Sequence, residues 1–82
     1  MRDEQGVVEA KVKEVMASLF SLDMAEICEL TSIETVEKWD SLQHVNLIMA
    51  LEKEFGVTID VDDAVSMISF PDVCRALARY LG

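Results

Sequence analysis

Between Trp39 and Val57 the chain spells out one complete helix, with its own start and stop, and this constrains the fold more than any other feature. Asp40 is a side chain that accepts from the free N–H groups of a helix start. Gln43 stands three residues later, where the reciprocal partner of a capping box belongs. Apolar residues then recur at helical spacing from Ser41 to Phe55, and Gly56 supplies a left-handed stop. Leu42 or Val45, then Ile48, Met49, Leu51 and Phe55 are expected to face inward.

The rest of the chain reads as helix too. Val8, Val12, Val15, Met16 and Leu19 place a first amphipathic helix over residues 3–22. Residues 21–38 show no sustained period, and so long a connection must pack through its apolar residues: Leu22, Ile27, Leu30, Ile33 and Val36. Thr31 and Glu34 have capping-box spacing and predict a short helical turn. Val57 to Ile59 is read as a loop, because no second strand is present for it to pair with. Asp60 is expected to cap a short helix over residues 61–68, with Asp62 and Asp63 in its first turn. Ser69 precedes Phe70 and Pro71 and is expected to cap a last helix ending at Leu81, with Val73, Leu77, Tyr80 and Leu81 buried. The predicted fold is all-α: a small antiparallel four-helix bundle of three longer helices and one short, with a long loop between the first two. A chain of 82 residues makes one such domain, residues 1–82.

Charge narrows the function. Sixteen acidic residues against seven basic ones give a net −9, which disfavours nucleic acid and anionic membranes as partners. The acids concentrate in the middle: residues 23–72 hold twelve of them against Lys38 and Lys53 alone. Such a surface keeps a small protein soluble, or serves as a handle for basic partners. No apolar run approaches the ~20 residues of a membrane span, and the start of the chain lacks a secretory pattern, so a cytoplasmic monomer is the expectation. Cys28 and Cys74 lie beside apolar residues and are read as two reduced core thiols. With one histidine and no ligand spacing, a metal site is not expected.

Ser41 is the residue that calls for a role. A hydroxyl at the start of a helix points outward, beside unpaired N–H groups that favour an anion, which suits a phosphate ester. Asp-Ser-Leu alone is a weak signal, since a serine near a helix cap is usually only a helix start. The wider run changes that. Asp40-Ser41-Leu42, the Val45, Leu47 and Ile48 pattern, and Ala50-Leu51-Glu52 with Glu54-Phe55-Gly56 resemble the attachment region of acyl carrier proteins. The order of loop, serine-headed helix, acidic loop, short helix and proline-started helix extends the resemblance over nearly the whole chain.

The resemblance implies that Ser41, flanked by Asp40 and Leu42, bears 4′-phosphopantetheine, placed there by a phosphopantetheinyl transferase from coenzyme A with Mg²⁺. It further implies a carrier and not an enzyme, presenting thioester-bound acyl groups to acyl-loading and acyl-processing enzymes with basic docking patches. Family docking uses acids on the second helix and at the start of the third, matched here by Glu52, Glu54, Asp62 and Asp63. On the same partner-facing surface, Gln43 and Asn46 stand where fatty-acid carriers usually have acids, His44 adds an imidazole between them, and Lys53 dilutes the charge further. These departures, with Trp39 in place of a small residue, suggest a specialised pathway such as polyketide, lipopeptide or lipid-A-type acyl transfer. Trp39 either caps the core or joins the docking surface. Val45, Ile48, Met49, Val65 and Ile68 either line an acyl pocket or are ordinary core.

Three other readings compete. A D-alanyl or peptidyl carrier would use the same arm with different cargo; Asp before Ser fits the D-alanyl type and not the Gly-Gly-x-Ser of many peptidyl carriers. A helical interaction module without a prosthetic group would tolerate loss of Ser41. A hydrolase built on Asp40, Ser41 and His44 lacks a nucleophile elbow and an oxyanion hole.

Overall fold

The helix announced by Asp40 and Gly56 forms over Ser41–Phe55 (α2). The Asp40 carboxylate accepts from the Gln43 N–H at 2.9 Å. Gly56 turns left-handed at φ 66°, and its N–H closes onto the Glu52 carbonyl at 2.8 Å. In this computed structural model residues 3–81 are described, with side chains from residue 6, and the other helices are α1 (Asp3–Phe20), α3 (Val61–Ser66) and α4 (Phe70–Leu81). The described residues form no strand, only an isolated bridge between Ser32 and Ser69.

α1 stops two residues before the predicted end. Ser21 takes a left-handed φ of 58°, and the Leu22 N–H bonds back to the Ala17 carbonyl at 3.0 Å. α3 likewise ends at Ser66, leaving Ile68 outside it and exposed. α4 begins as expected: the Ser69 hydroxyl accepts from the Asp72 N–H at 3.2 Å, and Pro71 occupies a first-turn position with no N–H to lose.

α1 is the common wall, packing against both α2 and α4. Val8, Val12, Met16 and Phe20, four apart, are buried against Leu47 and Leu51 of α2 and Phe70, Val73, Cys74, Ala76 and Leu77 of α4. Outside this core, Lys11 pairs with Glu54 at 3.0 Å, and the Lys13 ammonium sits 5.7 Å from the Phe70 ring centre. The Lys11 pair is open to water and contributes little.

The inward face of α2 differs from the expected one. Leu47 is fully buried with Leu51, and Ile48 and Phe55 are half-buried, whereas Leu42, Val45 and Met49 are exposed. On α4, Leu81 is exposed and Tyr80 half-buried, while Phe70, Cys74 and Ala76 join the core.

The long loop packs through Ile27, Thr31, Val36 and Trp39. Leu30 is 80% exposed and takes no part. Cys28 is exposed as well, so only Cys74 is a core thiol, although both are free. A 3₁₀ turn at Met24–Glu26 is closed by the Glu26 carboxylate, which accepts from the Asp23 N–H at 2.9 Å. The turn expected from Thr31 starts one residue later: the Ser32 carbonyl accepts from the Val36 N–H at 3.0 Å, and the Ser32 hydroxyl from the Glu34 N–H at 3.2 Å. Thr31 is instead buried, its hydroxyl accepting from the Cys28 N–H at 2.9 Å. Two backbone bonds then fasten the loop to the α3–α4 junction, from Ile33 N–H to the Ile68 carbonyl (2.9 Å) and from Phe70 N–H to the Thr31 carbonyl (2.8 Å).

Candidate functional site

Ser41 is the first residue of α2 and is exposed. Its neighbour Asp40 is engaged as the cap, satisfying the Gln43 N–H. The remaining N–H groups of the first turn point out of the helix end, and with the helix dipole they favour a negative group on Ser41. α2 has no acid of its own in that turn. Leu42, the other flank, presents its side chain to solvent.

The head of α2 is fastened on both sides. Gln43 donates from Nε2 to the Leu19 carbonyl of α1 at 3.1 Å, one of the last carbonyls of that helix and without an intrahelical partner. Asn46 in turn donates to Gln43 Oε1 at 2.9 Å. His44 reaches the other way, with Nε2 2.7 Å from the Ala64 carbonyl of α3. Its Nδ1 accepts from the Trp39 indole N–H at 3.1 Å. An indole nitrogen only donates and a carbonyl only accepts, so the imidazole is held as the neutral tautomer with its proton on Nε2. Trp39 is buried and stacks on Phe20, ring centres 5.2 Å apart, which settles it as part of the core. His44 thus has both nitrogens engaged and is not placed to serve Ser41 as a base.

Two of the predicted docking acids, Glu52 and Asp63, have internal partners too. Glu52 accepts from the Ile59 N–H at 2.8 Å and so fixes the loop after α2. Asp63 accepts from the Tyr80 hydroxyl and from Arg79 at 2.9 Å. The Tyr80 hydroxyl, with Arg79 second, holds the Asp63 carboxyl below the usual carboxylate range. Asp63 in turn pushes the Tyr80 hydroxyl up. Asp62 is exposed.

Beside Ser41, α2 exposes Leu42, Val45 and Met49, and α3 exposes Val61 and Val65, with Ile68 just beyond it. Of the five residues weighed as pocket lining or core, Val45, Met49, Val65 and Ile68 are therefore surface, and Ile48 alone is half-buried. The Trp39–His44–Ala64 tie escaped the sequence reading. Its signal is faint: an indole and an imidazole five residues apart, on either side of a helix start.

A family profile described as the phosphopantetheine attachment site matches residues 10–81. The chain is also similar to proteins named acyl carrier protein. That of Desulforapulum autotrophicum is 41% identical over 73 residues, covering 88% of this chain and 95% of the relative. That of Thermosynechococcus vestitus is 38% identical over 69 residues, 84% of this chain and 85% of the relative. One from Nitratidesulfovibrio vulgaris is 38% identical over 65 residues, 79% and 86% respectively. Sequence, fold and relatives agree: this chain belongs to the acyl carrier protein family, non-catalytic carriers with a covalently attached 4′-phosphopantetheine.

Proposed function

We propose that the chain, as a single carrier domain, holds acyl intermediates as thioesters on a 4′-phosphopantetheine esterified to Ser41, and presents them to the enzymes of a specialised biosynthetic pathway. The observation that carries this reading is the exposed Ser41 hydroxyl at the head of a capped helix. A phosphodiester there meets free N–H groups and a favourable dipole without displacing any core side chain. When attached, the arm supplies a thiol for the thioester and makes the cargo local to whichever active site the protein docks on. Asp40 holds the helix start open, and Leu42 offers apolar contact on the rim of the site.

The pathway is read from the head of α2. Gln43 and Asn46 are neutral and bonded to one another and to α1, so they add no charge where a basic partner would look for it. Recognition then leans on the apolar rows of α2 and α3, with Asp60 and Asp62 as exposed acids beside them. This supports partners less basic than those of a carrier with an acidic helix head.

Intact mass before and after incubation with coenzyme A, Mg²⁺ and a broad-specificity phosphopantetheinyl transferase tests the reading. The wild type is expected to gain one phosphopantetheine and the Ser41→Ala variant none. Folded, unmodified wild type that gains nothing refutes the carrier role. Loading the product with acyl ligases and with aminoacyl-adenylating enzymes then separates an acyl cargo from an aminoacyl one.

A further inference from the structure

We propose that His44 is a positioning residue that clasps α3 to α2 through its Nε2–H tautomer, and so composes the recognition face beside Ser41 from two helices. The proposal rests on the carrier reading for what the face recognises, and on geometry alone for the clasp.

α3 has six residues, none of them buried. Isolated helices shorter than ~12–15 residues are marginal in water, so α3 takes its place from its surroundings. Ile59 before it and Met67 after it are buried and anchor its ends to the core. On the α4 side Asp63 is held by Arg79 and Tyr80. On the α2 side the tie is His44, whose Nε2 lies 2.7 Å from the Ala64 carbonyl. That carbonyl also accepts from the Met67 N–H at 3.2 Å, so it belongs to the last turn of α3, and His44 acts there as a cap supplied by another helix.

The clasp works in one tautomer only. With the proton on Nδ1, Nε2 would turn a lone pair toward a carbonyl oxygen, and Nδ1–H would meet the indole N–H. Trp39, fixed by burial and its stack on Phe20, prevents this by donating to Nδ1. Trp39 lies two residues before Ser41, so one bonded chain runs from the approach to the modified serine into α3. The clasp is the tie that joins the exposed rows flanking it, Leu42, Val45 and Met49 on one helix and Val61 and Val65 on the other.

His44→Asn and His44→Gln separate the two bonds. Asn places its amide near the position of Nδ1 and can serve Trp39 but not reach Ala64. Gln places its amide near Nε2 and can still donate to the Ala64 carbonyl. The measurements are imidazole ¹⁵N shifts, amide hydrogen exchange, and transferase kinetics. Wild type is expected to show a protonated Nε2 and a bare Nδ1. His44→Asn is expected to lose exchange protection in residues 61–67 while α1, α2 and α4 keep theirs. The KM of the transferase for this variant should rise roughly fivefold, the scale of one neutral hydrogen bond, with a smaller effect on kcat. His44→Gln should recover most of both losses. A wild-type Nδ1–H tautomer, or a His44→Asn variant with α3 protection and KM intact, overturns the proposal. A variant that loses protection in every helix also overturns it, since His44 would then hold the whole fold and not α3. If wild type accepts no phosphopantetheine, the carrier reading fails separately, and the tautomer and exchange results still decide the clasp.

Discussion

Leu47→Ala and Val45→Ala, two residues apart on α2, are expected to differ by several kcal/mol in stability. Leu47 is 0% exposed in the wall between α1 and α2, and Val45 is 54% exposed. Truncating a fully buried leucine costs about 2–5 kcal/mol, from lost transfer energy and the cavity left behind. A domain of 82 residues has about 4–12 kcal/mol of stability in all, so the first variant loses a large fraction of it. At about 4–8 °C per kcal/mol for a domain of this size, its melting midpoint falls by about 8 °C or more. Val45→Ala loses little burial and gains some helix propensity, leaving stability within ~0.5 kcal/mol of wild type. Urea unfolding followed by far-ultraviolet circular dichroism measures both, with unchanged m-values as the check that only stability moved. Equal losses would mean that α2 is rotated about its axis by roughly a quarter turn, and a larger loss for Val45→Ala by roughly half a turn; in either case the argument for an apolar face beside Ser41 would collapse.

The two cysteines should react very differently: at pH 8 a thiol reagent is expected to label Cys28 at once and Cys74 only after unfolding. Burial first, with Glu9 second, pushes the Cys74 thiol up to about 11 against the opposing effect of Lys13, and rapid labelling of two equivalents in the native protein would contradict this. The Asp63–Tyr80 pair should give stability with a pH plateau. Asp63 is shifted down, so its contribution is present above its unfolded value of about 3.9 and is lost as pH falls through the lower folded value. Tyr80 is shifted up, so its contribution is present below its unfolded value of about 10 and is lost as pH rises through the higher folded one. The stability gap between wild type and Asp63→Asn is therefore expected to be widest between about pH 4 and 10 and to narrow on both sides; a gap that ignores pH in denaturant titrations refutes the pairing.

What the sequence made legible is what local chemistry decides. Asp40 and Gly56 bound α2, and Ser69 with Pro71 starts α4, because caps act within a few residues. Ser41 stood out for the same reason. The buried face of α2 was not legible, because apolar residues at 42, 45, 47, 48, 49 and 51 run round most of the helix, and only its neighbours choose among them. The end of α1 carries no glycine; a serine takes the left-handed position, which no propensity announces. Gln43, His44, Glu52 and Asp63 read as surface groups by residue type, yet each bonds to backbone or side chain across the fold. Polarity marks a group that needs a partner and does not say whether that partner is water or protein.

The common wall of α1 has a consequence for how the protein is made. α1 leaves the ribosome before α4, yet its buried stripe shares one core with Phe70, Val73 and Leu77 of that helix. A nascent chain that ends at Gly56 can bring Leu47 and Leu51 to α1 and stack Trp39 on Phe20, but lacks the α4 side chains that complete the core. The core closes only when α4 has emerged, and α3 has no settled place until the helices on either side of it stand. Up to that moment Ser41 is a serine on an unfinished scaffold, and its recognition face takes shape only once α4 is in place.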